Sequence, residues 1–113
     1  MAVNQKPWGT TEVLLDQSDY KVKKIFVKAG ERFSLQYHNH RQEHWVIISG
    51  IAYITQYGVE STIRPGEHAY IPKESIHRLC AGIDGTTFIE IQRGECREDD
   101  IVRLEDDYGR NKK

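Results

Sequence analysis

The stretch Ser34-Leu35-Gln36-Tyr37-His38-Asn39-His40-Arg41-Gln42-Glu43-His44-Trp45 gathers three side-chain amides, three imidazoles and a carboxylate in one short run. In an extended strand, alternate side chains share a face. Phe33, Leu35 and Tyr37 therefore fall on one side, and Ser34, Gln36, His38 and His40 on the other. Glu43 opens the next apolar run, Trp45 to Ile48, so the returning strand can set its carboxylate beside the imidazoles. His77 follows the turn-like Ile71-Pro72-Lys73-Glu74-Ser75 and offers a fourth polar group. A lone strand histidine is ordinarily a surface or hydrogen-bonded residue. A Gln, His, Glu, His set at strand ends is different, because imidazole nitrogen and carboxylate oxygen suit first-row divalent ions, and two His with one carboxylate leave positions open to water or substrate.

Positioning these groups calls for strands. From Tyr20 to Gln92 the chain breaks into short runs of Val, Ile, Phe, Tyr and Thr, punctuated at Gly30, Ser49-Gly50, Gly58, Pro65-Gly66, Pro72 and Asp84-Gly85. The rhythm predicts strands near 20–28, 33–40, 44–48, 51–57, 61–64, 68–72, 77–81 and 86–92. So many short strands point to an all-β small barrel or jelly roll, which limits exposed sheet edges. The barrel core is expected over about 20–92, with an N-terminal arm 1–19 and a C-terminal arm 94–113. In the acidic tail, Ile101, Val102, Leu104 and Tyr108 are apolar anchors of a docking arm, a short helix or a solvated edge.

The 113 residues make one domain, and Lys+Arg 16 against Asp+Glu 17 gives a net charge of -1. That balance argues against nucleic acid or an anionic membrane as the main partner. No apolar run is long enough to span a bilayer and the first residues are polar, so a cytoplasmic location is expected. Cys80 and Cys96 lack the spacing of a zinc knuckle or redox pair and read as reduced thiols.

The spacing resembles the cupin family, the double-stranded β-helix. Gly30, Gln36, His38, Glu43 and Gly50 match its first motif at every interval, with Gln36 where the first His is usual. Gly66, Pro72 and His77 fit the second, while Glu74 replaces a Gly and Ala81 an Asn. A narrower resemblance, to the cupin part of type II mannose-6-phosphate isomerases, runs through Lys6-Pro7-Trp8-Gly9, Tyr20-Lys21-Val22-Lys23, Ser34 to Trp45, Tyr70-Ile71-Pro72, His77-Arg78-Leu79, Glu98 to Arg103 and Tyr108-Gly109-Arg110. In that family the cupin usually follows a mannose-1-phosphate guanylyltransferase domain, and no such domain is present in these residues.

The resemblance implies that Gln36, His38, Glu43 and His77 bind one divalent metal, Zn²⁺ first, with Co²⁺, Mn²⁺, Ni²⁺ or Fe²⁺ as substitutes. It implies interconversion of an aldose phosphate and a ketose phosphate through an enediol-like intermediate, with the metal stabilising the developing oxyanion. His40 is the leading candidate base, since alternation aims it with Gln36 and His38, and Glu90 is the second. Arg41 and Arg78 are candidate phosphate donors, with Lys73 in the turn before His77 and Gln92 beside Glu90. Lys21, Lys23, Lys24 and Lys28 read as a solvated face, and His44 as a packing or supporting residue. A homodimer is expected, its terminal arms docking or exchanging across a two-fold axis. Two other functions compete: a non-catalytic cupin that binds a sugar or nucleotide sugar beside a separate guanylyltransferase, and a metal-dependent oxygenase.

Overall fold

In the computed structural model, which describes residues 3–111, the chain is built of strands and turns. The strands are β1 (Val3–Lys6), β2 (Gly9–Asp16), β3 (Tyr20–Val27), β4 (Leu35–Tyr37), β5 (Arg41–Ser49), β6 (Ala52–Gln56), β7 (Val59–Ile63), β8 (His68–Ile71), β9 (His77–Ala81), β10 (Thr86–Gly94) and β11 (Val102–Glu105). They form two antiparallel sheets, one ordered β1-β2-β3-β10-β5-β8 and the other β11-β4-β9-β6-β7. This is the expected all-β cupin jelly roll, and no helix long and apolar enough to cross a membrane is present among the described residues.

Alternation along three adjacent strands builds the barrel interior. The inward positions are Lys21, Lys23, Ile25 and Val27 on β3, Thr86, Phe88, Glu90 and Gln92 on β10, and Arg41, Glu43, Trp45 and Ile47 on β5. The register aligns like with like: Phe88 faces Ile25 and Ile47, whereas Glu90 faces Lys23 and Trp45, and Gln92 faces Lys21 and Glu43. One end of the barrel is therefore an apolar core, with Ile25, Val27, Ile47, Ile54, Leu79 and Phe88 buried there. The other end is lined by buried polar groups, which burial alone disfavours unless they are paired.

Both chain ends are built into the sheets. Residues 3–16 form a hairpin on β3 of the same chain, and Trp8 enters the core against Phe33, ring centroids 5.5 Å apart. Among the described residues the tail makes no helix: β11 pairs with β4, because Val102 and Leu104 alternate with Arg103 and Glu105 as a strand edge requires. Ion pairs fasten it further, Arg32 to Asp107 and Arg78 to Glu105. At the turn before β9, Glu74 has φ 64°, the left-handed conformation natural to the glycine of the cupin motif. Its N–H donates to the His38 carbonyl at 2.8 Å, tying this turn to the strand of candidate ligands.

Candidate metal centre and cavity

Three donor groups converge at the polar end. His38, Glu43 and His77 each offer one atom within 4.8 Å of the others, and all three are buried. His77 Nδ1 lies 2.8 Å from the Ser75 carbonyl and His38 Nδ1 lies 2.6 Å from the Asp100 carbonyl. A carbonyl only accepts, so each ring donates from Nδ1 and presents a lone pair at Nε2. His77 Nε2 is buried with no hydrogen-bond partner. Such an orphan is uncommon in a folded interior, and a bound cation satisfies it. Burial, aided by the charge of Arg41, pushes His38 down to about 4, and burial does the same to His77. Both imidazoles are neutral near pH 7, as ligation demands. The chemistry of the donor set thus fits a divalent ion of the zinc class.

Gln36 stands opposite His77 across β4 and β9 and lines a cavity together with His38 and Glu43, its Oε1 accepting from the Ser34 hydroxyl at 2.9 Å. The Glu43 carboxylate accepts from Arg41 Nε at 2.9 Å and from Trp45 Nε1 at 3.0 Å, which fixes its plane. Trp45 Nε1 also reaches Glu90 Oε1 at 3.1 Å. Burial, reinforced by the charge of Glu43 alongside, pushes Glu90 up to about 7.

The cavity has a volume of about 320 Å³, at the lower end of the roughly 300–1,000 Å³ usual for small-ligand sites. Trp8 and Phe33 form its apolar wall, and Lys6, Lys23, Arg103 and Arg110 bring cations to it. Lys23 is held by Glu98 at 2.7 Å, and Arg110 is held bidentately by Asp106. Arg103 differs, since its buried Nε has no hydrogen-bond partner among the described residues. Arg103 stands opposite Gln36, which stands opposite His77, so one cross-strand row runs from this guanidinium-bearing residue to the candidate ligands.

Several expected site residues lie elsewhere. His40 is exposed and outside the cavity lining, because β4 ends at Tyr37 and the chain turns at Asn39-His40, breaking the alternation that would have aimed it inward. Arg78 is buried but spent on structure, donating to the Phe33 carbonyl and to Glu105. Lys73 is exposed on its turn. Gln92 is buried against Glu90, donating at 2.8 Å, and does not line the cavity. Arg41 does line it, but its guanidinium is committed to Glu43 and to the Arg97 carbonyl. Lys21 and Lys23 are buried and point inward rather than forming a solvated face with Lys24 and Lys28. His44 lies on the outer face of its sheet, 3.1 Å from His68. Lys6, Lys23, Asp100 and Arg103 were absent from the expected site. The alternation of Val102, Arg103, Leu104 and Glu105 is the one sequence signal that pointed to the last of these.

Comparison with known proteins shows the family and the fold. Residues 2–106 match the family described as mannose-6-phosphate isomerase C-terminal. Over 107 residues, 93% of this chain, it is 43% identical to the alginate biosynthesis protein AlgA of Pseudomonas aeruginosa. It is 41% identical to the mannose-1-phosphate guanylyltransferase ManC of Salmonella typhimurium over the same share of the chain. The chain spans 22% of the length of each of these relatives. Among solved structures, an RmlC-like cupin from Shewanella frigidimarina superimposes with a TM-score of 0.77 over 87% of this chain and 86% of that one, at 19% identity.

Proposed function

The chain belongs to the mannose-6-phosphate isomerase C-terminal family, and on that premise we propose that its cavity interconverts mannose 6-phosphate and fructose 6-phosphate. The observation that carries the reading is the row Arg103, Gln36, His77 across β11, β4 and β9. Adjacent strands lie about 4.8 Å apart, so along this row the backbones of Arg103 and His77 are two such spacings apart. That separation suits a substrate carrying its phosphate at the far end from its carbonyl carbon. Arg103, with Lys6, which also lines the cavity, would take the phosphate by charge-assisted hydrogen bonds.

His38, Glu43 and His77, joined by Gln36, would hold a divalent ion, which when bound supplies Lewis acidity toward the oxygens on C1 and C2 of the sugar. Isomerisation removes the C2 proton of the aldose, returns a proton to C1 and transfers one between the two oxygens, with no net oxidation. Glu90 lines the cavity and is held by Trp45 and Gln92, which supports the reading that it carries the carbon-bound proton. His40 gives up that role because it faces solvent. Trp8 and Phe33 shield the intermediate from water.

The test is a coupled assay for mannose 6-phosphate turnover, with metal content measured on the same sample before and after chelation. Activity that disappears with the ion, returns with Zn²⁺ or Co²⁺ and is absent in His38→Ala supports the isomerase. A folded, metal-loaded protein with no turnover under any divalent ion refutes it. A second reading, a sugar- or nucleotide-sugar-binding module acting beside a guanylyltransferase, draws support from ManC, whose name carries that activity and of which this chain matches 22%. Saturable binding without turnover would favour it.

A further inference from the structure

The C-terminal segment after β10 crosses back over the polar end of the barrel and touches the candidate ligands from outside. Glu95 N–H donates to the His40 carbonyl at 3.0 Å, and Arg41 Nη1 donates to the Arg97 carbonyl at 3.0 Å. Asp100 then makes three contacts from one buried position, 5% exposed. Its carboxylate accepts the backbone N–H groups of Asn39 and His40, each at 2.9 Å, one on each oxygen. Its main-chain carbonyl accepts His38 Nδ1–H at 2.6 Å. The backbone just after His38 and the imidazole of His38 are thus both held by one residue some sixty positions away along the chain.

We propose that Asp100 is a positioning residue of the metal centre: its carboxylate locks the Asn39-His40 turn so that its own carbonyl meets His38 Nδ1, leaving the Nε2 lone pair aimed at Glu43 and His77. An imidazole not restrained at Nδ1 exchanges tautomers and turns about its side-chain bonds, and either change removes the lone pair from the site. Partners of this kind commonly alter metal affinity by about 10–100-fold. Ser75 does the same for His77 through its carbonyl, but from only two residues away, so that bond is local and independent of the tail. The inference rests on the ligand assignment of the proposed function and adds a role for a residue that does not line the cavity.

His77 serves as an internal control. Long-range ¹H–¹⁵N correlation spectra of the metal-free full chain report the tautomer of each histidine ring, and Zn²⁺ titration reports affinity. In Asp100→Ala, His38 is expected to lose its Nδ1–H tautomer while His77 keeps its own, and zinc affinity is expected to fall about 10–100-fold. Asp100→Asn, which retains one acceptor oxygen, is expected to fall between that variant and the unmodified chain. An unchanged His38 tautomer with unchanged affinity in Asp100→Ala overturns the proposal. So does a change in His77 as large as that in His38, or loss of cooperative unfolding in both variants, since either makes Asp100 a general structural residue. The tautomer readout needs neither turnover nor metal. A chain that binds no zinc would sink the ligand assignment while the spectra still decide the role of Asp100.

Discussion

Glu43 and Glu90, on neighbouring strands β5 and β10, accept from the same indole N–H: Trp45 Nε1 lies 3.0 Å from one carboxylate and 3.1 Å from the other. A single donor thus holds together a candidate metal ligand and the candidate proton carrier, two acidic groups that would repel each other if both were ionised in a buried site. Trp45→Phe keeps the ring packed against Phe33 and Phe88 but removes that donor. Two buried carboxylates then lose a partner, and a destabilisation of about 1–3 kcal/mol is expected by urea unfolding. Unchanged stability would mean that water replaces the indole and that the bridge contributes nothing.

The cation at the far end of the cavity makes a separate prediction. Arg103→Ala should raise KM for mannose 6-phosphate by roughly 10- to 100-fold, the equivalent of losing a charge-assisted hydrogen bond of about 1.5–3 kcal/mol, with a smaller change in kcat. Arg78→Ala should leave KM nearly unchanged, since that guanidinium is tied to Phe33 and Glu105 outside the cavity. Equal effects of the two substitutions would remove Arg103 from phosphate recognition.

Acid should loosen the tail before it unfolds the barrel. Burial acts to raise the Glu98 carboxyl, but the hydrogen bonds and charges of Lys23 and Lys21 prevail and hold it at about 2, below its ordinary 4.5. A carboxylate depressed in this way stabilises the fold above pH 4.5, and that contribution is lost as pH falls toward 2. The side chain is 63% exposed, so solvent and salt screen the interaction and the effect is modest. The stability difference between the unmodified chain and Glu98→Gln, followed by urea midpoints from pH 7 to pH 3, should hold down to about pH 4.5 and shrink below it. A difference independent of pH would mean that the ion pair with Lys21 and Lys23 does not hold the tail in solution.

Glu74 offers a test of backbone strain. It occupies the left-handed region at φ 64°, which costs an L-residue with a Cβ roughly 1–2 kcal/mol. Glycine removes that cost and gives part of it back through the greater freedom of the unfolded chain. Glu74→Gly should therefore stabilise the protein by up to about 1 kcal/mol in thermal or urea unfolding, without changing metal content. Destabilisation would show that the glutamate side chain contributes more than the strain takes away.

Much of the polar end was legible before any coordinates. Period-two alternation and the intervals between Gln36, His38, Glu43 and His77 are local properties of the chain, and the structure brings His38, Glu43 and His77 together beside Gln36. Glu90 could be read as facing inward for the same reason. His40 failed on that logic, because alternation holds only while the strand lasts and β4 is three residues long. Lys21 and Lys23 failed differently. Four lysines in one short segment read as solvated, and burial became affordable only because Glu98 returns from the tail to neutralise two of them.

What the amino-acid sequence determined by itself is the strand rhythm, the cupin spacing and the chemical types in the donor set, all set by short-range geometry and by the residues' own pKa and ligand preferences. Tertiary structure alone decided which cations remain free and which are spent on carboxylates, and which carbonyl sets the tautomer of His38. Those outcomes depend on contacts between segments far apart in the chain, Asp100 with His38 and Arg103 with Gln36. Such pairings follow from sheet register and from the path of the tail, and no local pattern of residues encodes either one.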